Sequence, residues 1–95
     1  MSIVCIIPGP LKAFADGKSD VVLNVPVHTV GEALNILWER YPGLKDRVIT
    51  EQGKVREHIN IFAGDENIKY TGGFNTPLKS EIEIYIIPAV SGGIN

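Results

Sequence analysis

The sequence has little of what would mark a disulfide-stabilised, metal-binding or membrane protein. One cysteine among 95 residues forbids an internal disulfide, and no cysteine and histidine stand at the spacing of metal ligands. The apolar run near the start ends at Pro8 and is far shorter than a membrane span of about 20 residues. No positively charged segment precedes that run, as a signal peptide requires. We therefore expect a reduced, cytoplasmic protein with no bound metal and no membrane segment.

Charge and reactive side chains exclude further classes of function. Nine Lys and Arg against eleven Asp and Glu give a net charge of −2 without a basic cluster, which argues against nucleic-acid binding. Cys5 lies within an apolar run and is expected to be a buried, unreactive thiol. His28 and His58 have no further metal ligand nearby in the sequence. We expect no catalytic side chain, and the 44% hydrophobic content fits one domain over residues 1–95.

The clearest helix follows Thr29. Thr29 and Glu32 form a capping box, in which their side-chain oxygens accept hydrogen bonds from backbone N–H groups at the helix start. Apolar residues then recur at helical spacing, and Pro42-Gly43 ends the helix. The apolar stripe consists of Val30, Ala33, Leu34, Leu37, Trp38 and Tyr41.

Five segments have the composition of β-strands, namely residues 3–8, 20–26, 58–63, 67–70 and 81–87. The last is the most apolar, with Ile82, Ile84 and Ile86 predicted on one face and Glu81, Glu83 and Tyr85 on the other. Because one amphipathic helix covers one face of a sheet, we expect a two-layer α+β domain. The last strand should lie centrally beside the first, in a mixed sheet of four or five strands typical of the ubiquitin-like β-grasp.

The segment after the last strand has no hydrophobic periodicity, and we expect residues 88–95 to form a flexible tail. The tail contains Ser91-Gly92-Gly93. Two interpretations of these glycines are open. They are either a frayed chain end or a backbone that threads a channel too narrow for any Cβ atom.

Essentially the full chain, including the helix after Thr29, resembles a known family, and two stretches carry the resemblance most clearly. They are KVREHINIFAGDENIKYTGG, from Lys54 to Gly73, and EIEIYIIPAVSGG, from Glu81 to Gly93. Both are similar to the MoaD/ThiS-type ubiquitin-like sulfur carrier proteins, and in particular to the branch that donates sulfur in cysteine or homocysteine biosynthesis. The most specific element is the pair of glycines at this distance from the final strand.

The resemblance implies a non-enzymatic carrier that acts through its backbone. The carboxylate of Gly93 would be adenylated by an E1-like enzyme, which uses ATP, and would then be converted to a thiocarboxylate. Val90, Ser91 and Gly92 would thread into the active sites of partner enzymes. The carrier itself would bind no cofactor and would be a monomer. Its client would be a pyridoxal-phosphate sulfhydrylase or another sulfur-accepting enzyme.

Gly93 is followed in this sequence by Ile94-Asn95, which departs from most of the family. A peptide-bonded Gly93 has no free carboxylate to adenylate. The resemblance implies that a zinc metallopeptidase of the JAMM/MPN type removes these residues. The alternative is that they mark a carrier that has lost its function.

Two other functions remain open for a chain with this pattern. One is the small subunit of a molybdopterin synthase, whose tail inserts into the large subunit. The other is a protein modifier that is conjugated to lysines through Gly93. In each case ubiquitin-like domains dock through the exposed face of the sheet, and we predict Phe62, Phe74 and Tyr85 as docking residues.

Overall fold

Five strands and two α-helices form two layers in the computed structural model, which describes residues 2–79 and 81–88. The strands are β1 (Ile3–Ile6), β2 (Asp20–Leu23), β3 (Ile59–Ala63), β4 (Glu66–Asn67) and β5 (Glu83–Pro88). The helices are α1 (Val30–Arg40) and α2 (Pro42–Val48), and 3₁₀ helices span Gly9–Ala15, Ile68–Tyr70 and Gly73–Asn75. None of the helices within this described part of the chain is long and apolar enough to cross a membrane.

The sheet has the strand order β2-β1-β5-β3-β4. β1 and β5 are parallel, with Cys5 opposite Ile84, and the other neighbouring strands are antiparallel. A mixed α+β sheet with the last strand in the centre, beside the first, is therefore confirmed. The register of β5 against β3 places Ile61 opposite Ile86, so that buried side chains of neighbouring strands lie at the same level.

Helix α1 begins where the sequence predicts. The Thr29 hydroxyl accepts a hydrogen bond from the Glu32 amide at 3.2 Å, and the Glu32 carboxylate accepts one from the His28 amide at 2.7 Å. In the expected capping box, Glu32 would accept a hydrogen bond from the Thr29 amide. It accepts one from the amide of the preceding residue instead, and so still satisfies a backbone donor at the helix start. At the end of the helix, the Tyr41 amide donates a hydrogen bond to the Leu37 carbonyl at 2.9 Å.

The core lies between α1 and the inner face of the sheet. Burial alternates along β1 and β3, as expected for strands with one face covered. Helix α1 contributes five buried side chains, and all of them belong to the predicted stripe; Tyr41 is half-buried at its end. These five are Val30, Ala33, Leu34, Leu37 and Trp38.

The return strand predicted for residues 67–70 is wrong beyond Asn67. Asn67 stands opposite Phe62 in the sheet, but its side-chain oxygen accepts a hydrogen bond from the Lys69 amide at 3.1 Å. This local bond competes with strand pairing and starts the 3₁₀ helix that buries Ile68.

The last strand also begins and ends differently from the prediction. Glu81 has a φ of 61°, a left-handed conformation that interrupts the strand, and β5 starts at Glu83. Ile82 therefore lies outside β5 and is half-buried, in contact with the core and with the cavity on the outer face of the sheet. Pro88, predicted as the first tail residue, is the last residue of β5 and stands opposite Ile59.

Truncation of a core side chain on α1 tests this packing. Leu37 is fully buried, so Leu37→Ala should lower the free energy of unfolding by about 2–5 kcal/mol through lost burial and a residual cavity. Asn35 is exposed on the same helix, and Asn35→Ala should change it by less than about 0.5 kcal/mol. Urea unfolding of both variants measures the difference. Equal effects would contradict the assignment of the buried face.

Candidate functional site

The predicted tail follows β5, the central strand of the sheet. β5 pairs with β1 on one side and β3 on the other, and its final residue, Pro88, still pairs with Ile59. Four residues lie between Pro88 and Gly93, and a fully extended chain over that distance spans at most roughly 18 Å. Gly93 is thus tied by a short segment to a strand that is paired on both sides.

The tail residues themselves lie outside the part of the chain that the structure describes. This applies to the adenylation site, Gly93, to the threading residues Val90, Ser91 and Gly92, and to the extension, Ile94-Asn95. Their roles stay predictions. The structure instead describes the strand that anchors them and the surface beside it.

Two of the three predicted docking residues are neighbours on the outer face of the sheet. Phe62 of β3 stands opposite Tyr85 of β5, and both side chains are half-buried. They line a cavity of about 780 Å³ together with Val4 and Ile87, and the Ile87 side chain is 42% exposed. The outer face is therefore apolar over three strands, although it is not covered by a helix.

The placement of Phe74 on this face is wrong. Phe74 belongs to the 3₁₀ helix Gly73–Asn75, which packs against α1 in the other layer. A Cβ atom on Gly31 would lie 3.0 Å from the Phe74 carbonyl oxygen and 3.1 Å from its Cβ, so any other residue at position 31 would push the Phe74 backbone away by a few tenths of an ångström. Phe74 also lines a cavity of about 240 Å³ with Trp38 on the helix side.

A hydrogen bond joins two side chains on the outer face. The Tyr85 hydroxyl donates to the Glu83 carboxylate, two residues before it on β5. This bond raises the pKa of the Tyr85 hydroxyl above its ordinary value, with smaller contributions from desolvation and from the Glu83 charge. Tyr85 therefore stays a neutral donor, and its ring is held along the strand.

Sequence reasoning missed other residues of this face. Val4 and Ile87 were not predicted as docking residues, although strand alternation places both on the outer face. Val4 lies between the buried Ile3 and Cys5, and Ile87 follows Tyr85 by two positions. Asp65, in the turn between β3 and β4, lines the same cavity and had no such signal. A turn residue reaches this face only through the tertiary fold.

The reactive side chains that the sequence contains lie away from this face. Cys5 is fully buried in β1, and desolvation raises the pKa of its thiol to about 12, against a smaller opposing effect of the Arg40 charge. His28 and His58 are exposed. Within residues 2–79 and 81–88, no group of three His, Cys, Asp or Glu side chains is arranged to hold a metal ion.

The architecture defines the class of the protein. A helix that packs on one face of a mixed sheet, whose first and last strands are parallel central neighbours, is the β-grasp fold of ubiquitin-like proteins. The ThiS family model matches residues 5–93, and this chain belongs to the ThiS family of ubiquitin-like sulfur carriers.

Individual relatives agree with this assignment. The sulfur carrier protein CysO of Mycobacterium tuberculosis is 28% identical over 95 residues, which cover 98% of this chain and 100% of that protein. A chain in the crystal structure of the Amycolatopsis orientalis BexX/CysO complex superposes with a TM-score of 0.83 at 30% identity, covering 96% of this chain and 99% of that one. Haloferax volcanii small archaeal modifier protein SAMP1 superposes with a TM-score of 0.80 at 29% identity, covering 98% and 100%.

Thiol labelling tests the burial of Cys5. We expect the folded chain to resist Ellman's reagent at pH 8, because the thiolate forms only as the pH approaches about 12. An unperturbed thiol ionises near pH 8.5, so the urea-unfolded chain should react at once. A Ser19→Cys variant, with its new thiol at an exposed position, supplies the control and should gain one fast-reacting group. Rapid labelling of Cys5 in the folded chain would contradict its inert role.

Proposed function

We propose that this protein is a sulfur carrier whose Gly93 carboxylate, exposed by removal of Ile94-Asn95, is adenylated and converted to a thiocarboxylate. The thiocarboxylate donates sulfur to an enzyme of cysteine or homocysteine synthesis or of another sulfur metabolite. The observation that carries the proposal is the extent of the family match, which stops at Gly93 and leaves Ile94-Asn95 beyond it.

The chemistry requires no side chain of the carrier. A carboxylate oxygen of Gly93 attacks the α-phosphorus of ATP, which forms an acyl-adenylate and releases pyrophosphate. Hydrosulfide then attacks the acyl carbon, AMP leaves with the former carboxylate oxygen, and the thiocarboxylate remains. Both steps take place in the active site of the E1-like enzyme, and the carrier supplies only the reacting carbonyl.

The residues after Gly93 must leave before the first step. While Gly93 is joined to Ile94, its carbonyl belongs to an amide, which has no negatively charged oxygen to attack phosphorus. Hydrolysis of the Gly93–Ile94 bond adds water and gives the free carboxylate. We assign this hydrolysis to a zinc metallopeptidase of the JAMM/MPN type, which holds the metal in its own site.

The described residues support a carrier that is not itself an enzyme. Cys5, the one thiol, is buried, and desolvation raises its pKa to about 12, so that it is a poor nucleophile at neutral pH. The similarity to CysO, which is named as a sulfur carrier protein, supports sulfur transfer, and we assign the role of client to a pyridoxal-phosphate sulfhydrylase. That enzyme would hold an electrophilic carbon that the thiocarboxylate sulfur attacks.

A second function is favoured by the likeness to SAMP1, the small archaeal modifier protein 1 of Haloferax volcanii, which is named as a protein modifier. The same acyl-adenylate can be attacked by a lysine amine, which displaces AMP and forms an isopeptide bond to a target protein. Both outcomes need a free Gly93 carboxylate. They differ in the product, because one adds sulfur to the carrier and the other joins it to a second chain.

The length of the chain should decide whether activation occurs. A chain that ends at Gly93, mixed with the E1-like enzyme, ATP and a sulfide source, should gain the mass of sulfur in place of oxygen. The chain that ends at Asn95 should keep its mass until the metallopeptidase removes the dipeptide. Intact-protein mass spectrometry reads both states. Equal conversion of the two chains would refute the need for trimming, and conversion of neither would refute the carrier function.

A side chain at the penultimate tail glycine should block activation without unfolding the domain. Gly92→Val in the Gly93-ended chain places a branched Cβ where a channel shaped for bare backbone has no room, and we expect adenylation to be lost. Gly9→Val is the matched control, because a Cβ at Gly9 meets no atom within 4 Å. Pyrophosphate release measures activation. Normal adenylation of Gly92→Val would refute the threading argument.

A further inference from the structure

A slot opens beside the first half of β3, on the side away from β5. β4 pairs only with Phe62 and Ala63, so within the described part of the chain no strand covers Ile59–Ile61 on that side. A cavity of about 290 Å³ lies there, lined by these β3 residues and by residues 55–57 and 67–69. It shares no lining residue with the larger cavity on the outer face of the sheet, so it is a separate surface.

Arg56 is a cation that the fold holds in place in this cavity, which we name the Arg56 slot. Its backbone amide donates to the Val48 carbonyl at 2.9 Å, and its side-chain Nε donates to the Asp46 carbonyl at 3.0 Å. A guanidinium has five N–H donors, so the Nε bond leaves the four donors of the two Nη atoms to other acceptors. Because Arg56 is half-buried and already oriented, an acceptor that binds it costs little side-chain entropy.

The charges around the slot favour an anion. Arg56 and Lys69 both line it, against one carboxylate, Glu57, which is exposed and therefore screened by water. The Lys69 ammonium lies 5.0 Å from the centre of the Tyr70 ring, so Lys69 adds positive potential while Arg56 supplies the directed donors. The planar fork of an arginine matches the two oxygens of a carboxylate. The slot therefore has the chemistry of a carboxylate-binding site.

The predicted tail begins at the same end of the sheet as Arg56. β5 runs antiparallel to β3, and its last residue, Pro88, is opposite Ile59, the first residue of β3. The Ile59 amide donates to the Arg56 carbonyl at 2.9 Å, so the chain turns between these two residues and keeps them close. Their Cα atoms lie at most roughly 11 Å apart, whereas an extended tail carries Gly93 up to roughly 18 Å from Pro88. The tail is thus long enough to bring Gly93 to Arg56.

We propose that the Arg56 slot binds the carboxylate of Gly93 once trimming has exposed it, with residues 89–92 crossing the end of the sheet. The two Nη atoms of Arg56 donate to the two carboxylate oxygens. A thiocarboxylate carries the same charge on oxygen and sulfur and binds at the same place. The inference rests on the proposed function, because that function gives Gly93 its free carboxylate. The reactive end of the carrier is then held on its own domain, and a partner enzyme must displace it before the tail can thread.

A carboxylate from another molecule is the competing occupant of the slot. The tail is tethered through β5, which gives its end an effective concentration in the millimolar range. A single exposed ion pair binds weakly, so a separate molecule would have to reach a comparable concentration to compete. The tethered Gly93 carboxylate is therefore the favoured occupant.

The test compares two forms of the chain by NMR, one that ends in the Gly93 carboxylate and one that ends in the Gly93 carboxamide. At pH 7 the backbone amide signals of Ile61 and Ile68 should differ between the two forms, and the signal of Asn35, on helix α1, should not. The difference should vanish as acid protonates the Gly93 carboxyl, whose pKa we expect about half a unit below the usual 3.3–3.7 of a chain end. The carboxamide form has the same Glu57 and corrects for its titration.

Substitution of Arg56 tests the donor. In the carboxylate form, Arg56→Gln should abolish the signal differences, and Arg56→Lys should retain less than about half of them, because an ammonium lacks the planar fork. Arg47→Gln is the matched control, since Arg47 is exposed, does not line the slot and lies over the Phe14 ring; it should keep the full differences. Circular dichroism checks the fold, and if Arg56→Gln unfolds the chain, the comparison of the two unmodified forms still decides.

A free peptide distinguishes the source of the carboxylate. N-acetyl-glycyl-glycine, added to a chain that ends at Pro88, should shift the Ile61 and Ile68 signals only at about ten millimolar or more, because it lacks the tether. The amide of the same peptide should shift neither. If the acid form of the peptide shifts these signals while the two Gly93 forms give identical spectra, the slot serves another molecule and the assignment to the tail is overturned.

The outcomes separate the slot from the carrier function, since none of these measurements needs an enzyme. Identical slot signals in the carboxylate and carboxamide forms overturn the inference, even if the Gly93-ended chain later gains sulfur. A docked carboxylate on a chain that never gains sulfur leaves the slot standing and refutes the proposed function.

Discussion

The pairing of β5 with strands on both of its sides is the constraint on which the rest of the structure depends. Its parallel partner is the first strand, about 80 residues earlier, and its antiparallel partner is β3. Without β5, no backbone hydrogen bonds would join the β1–β2 hairpin to the β3–β4 hairpin. Helix α1 would then have no continuous sheet to pack on. An isolated two-stranded hairpin is marginally stable in water, so the two halves depend on this strand.

The same strand supplies both faces of the molecule. Ile84 and Ile86 are buried in the core below α1, while Tyr85 and Ile87 line the cavity on the outer face of the sheet. Because the side-chain period of a strand is two, each face fixes the position of the other, and a shift in register would move both at once. Pro88, the last residue of β5, is in turn held in register by its pairing with Ile59.

Periodic segments could be predicted from the sequence, and irregular ones could not. The helical period predicts the buried stripe of α1, and the strand period predicts that Ile59 and Ile61 are buried. The central place of β5 is predicted by its apolar character. The strand predicted through Tyr70 fails because the Asn67 side chain captures a backbone amide, which strand propensity does not represent. Phe74 was misplaced because its position depends on contact with Gly31, over 40 residues away, and the role of Gly93 came from resemblance alone.

The central place of β5 has a consequence for protein synthesis. The sheet cannot close until residues 83–88 have emerged from the ribosome, since β5 joins its two halves. Pairings between distant parts of a chain form slowly, so β1, β2 and α1 wait for their central partner. A chain interrupted before residue 83 therefore has neither the closed sheet nor the outer-face cavity that Tyr85 and Ile87 line.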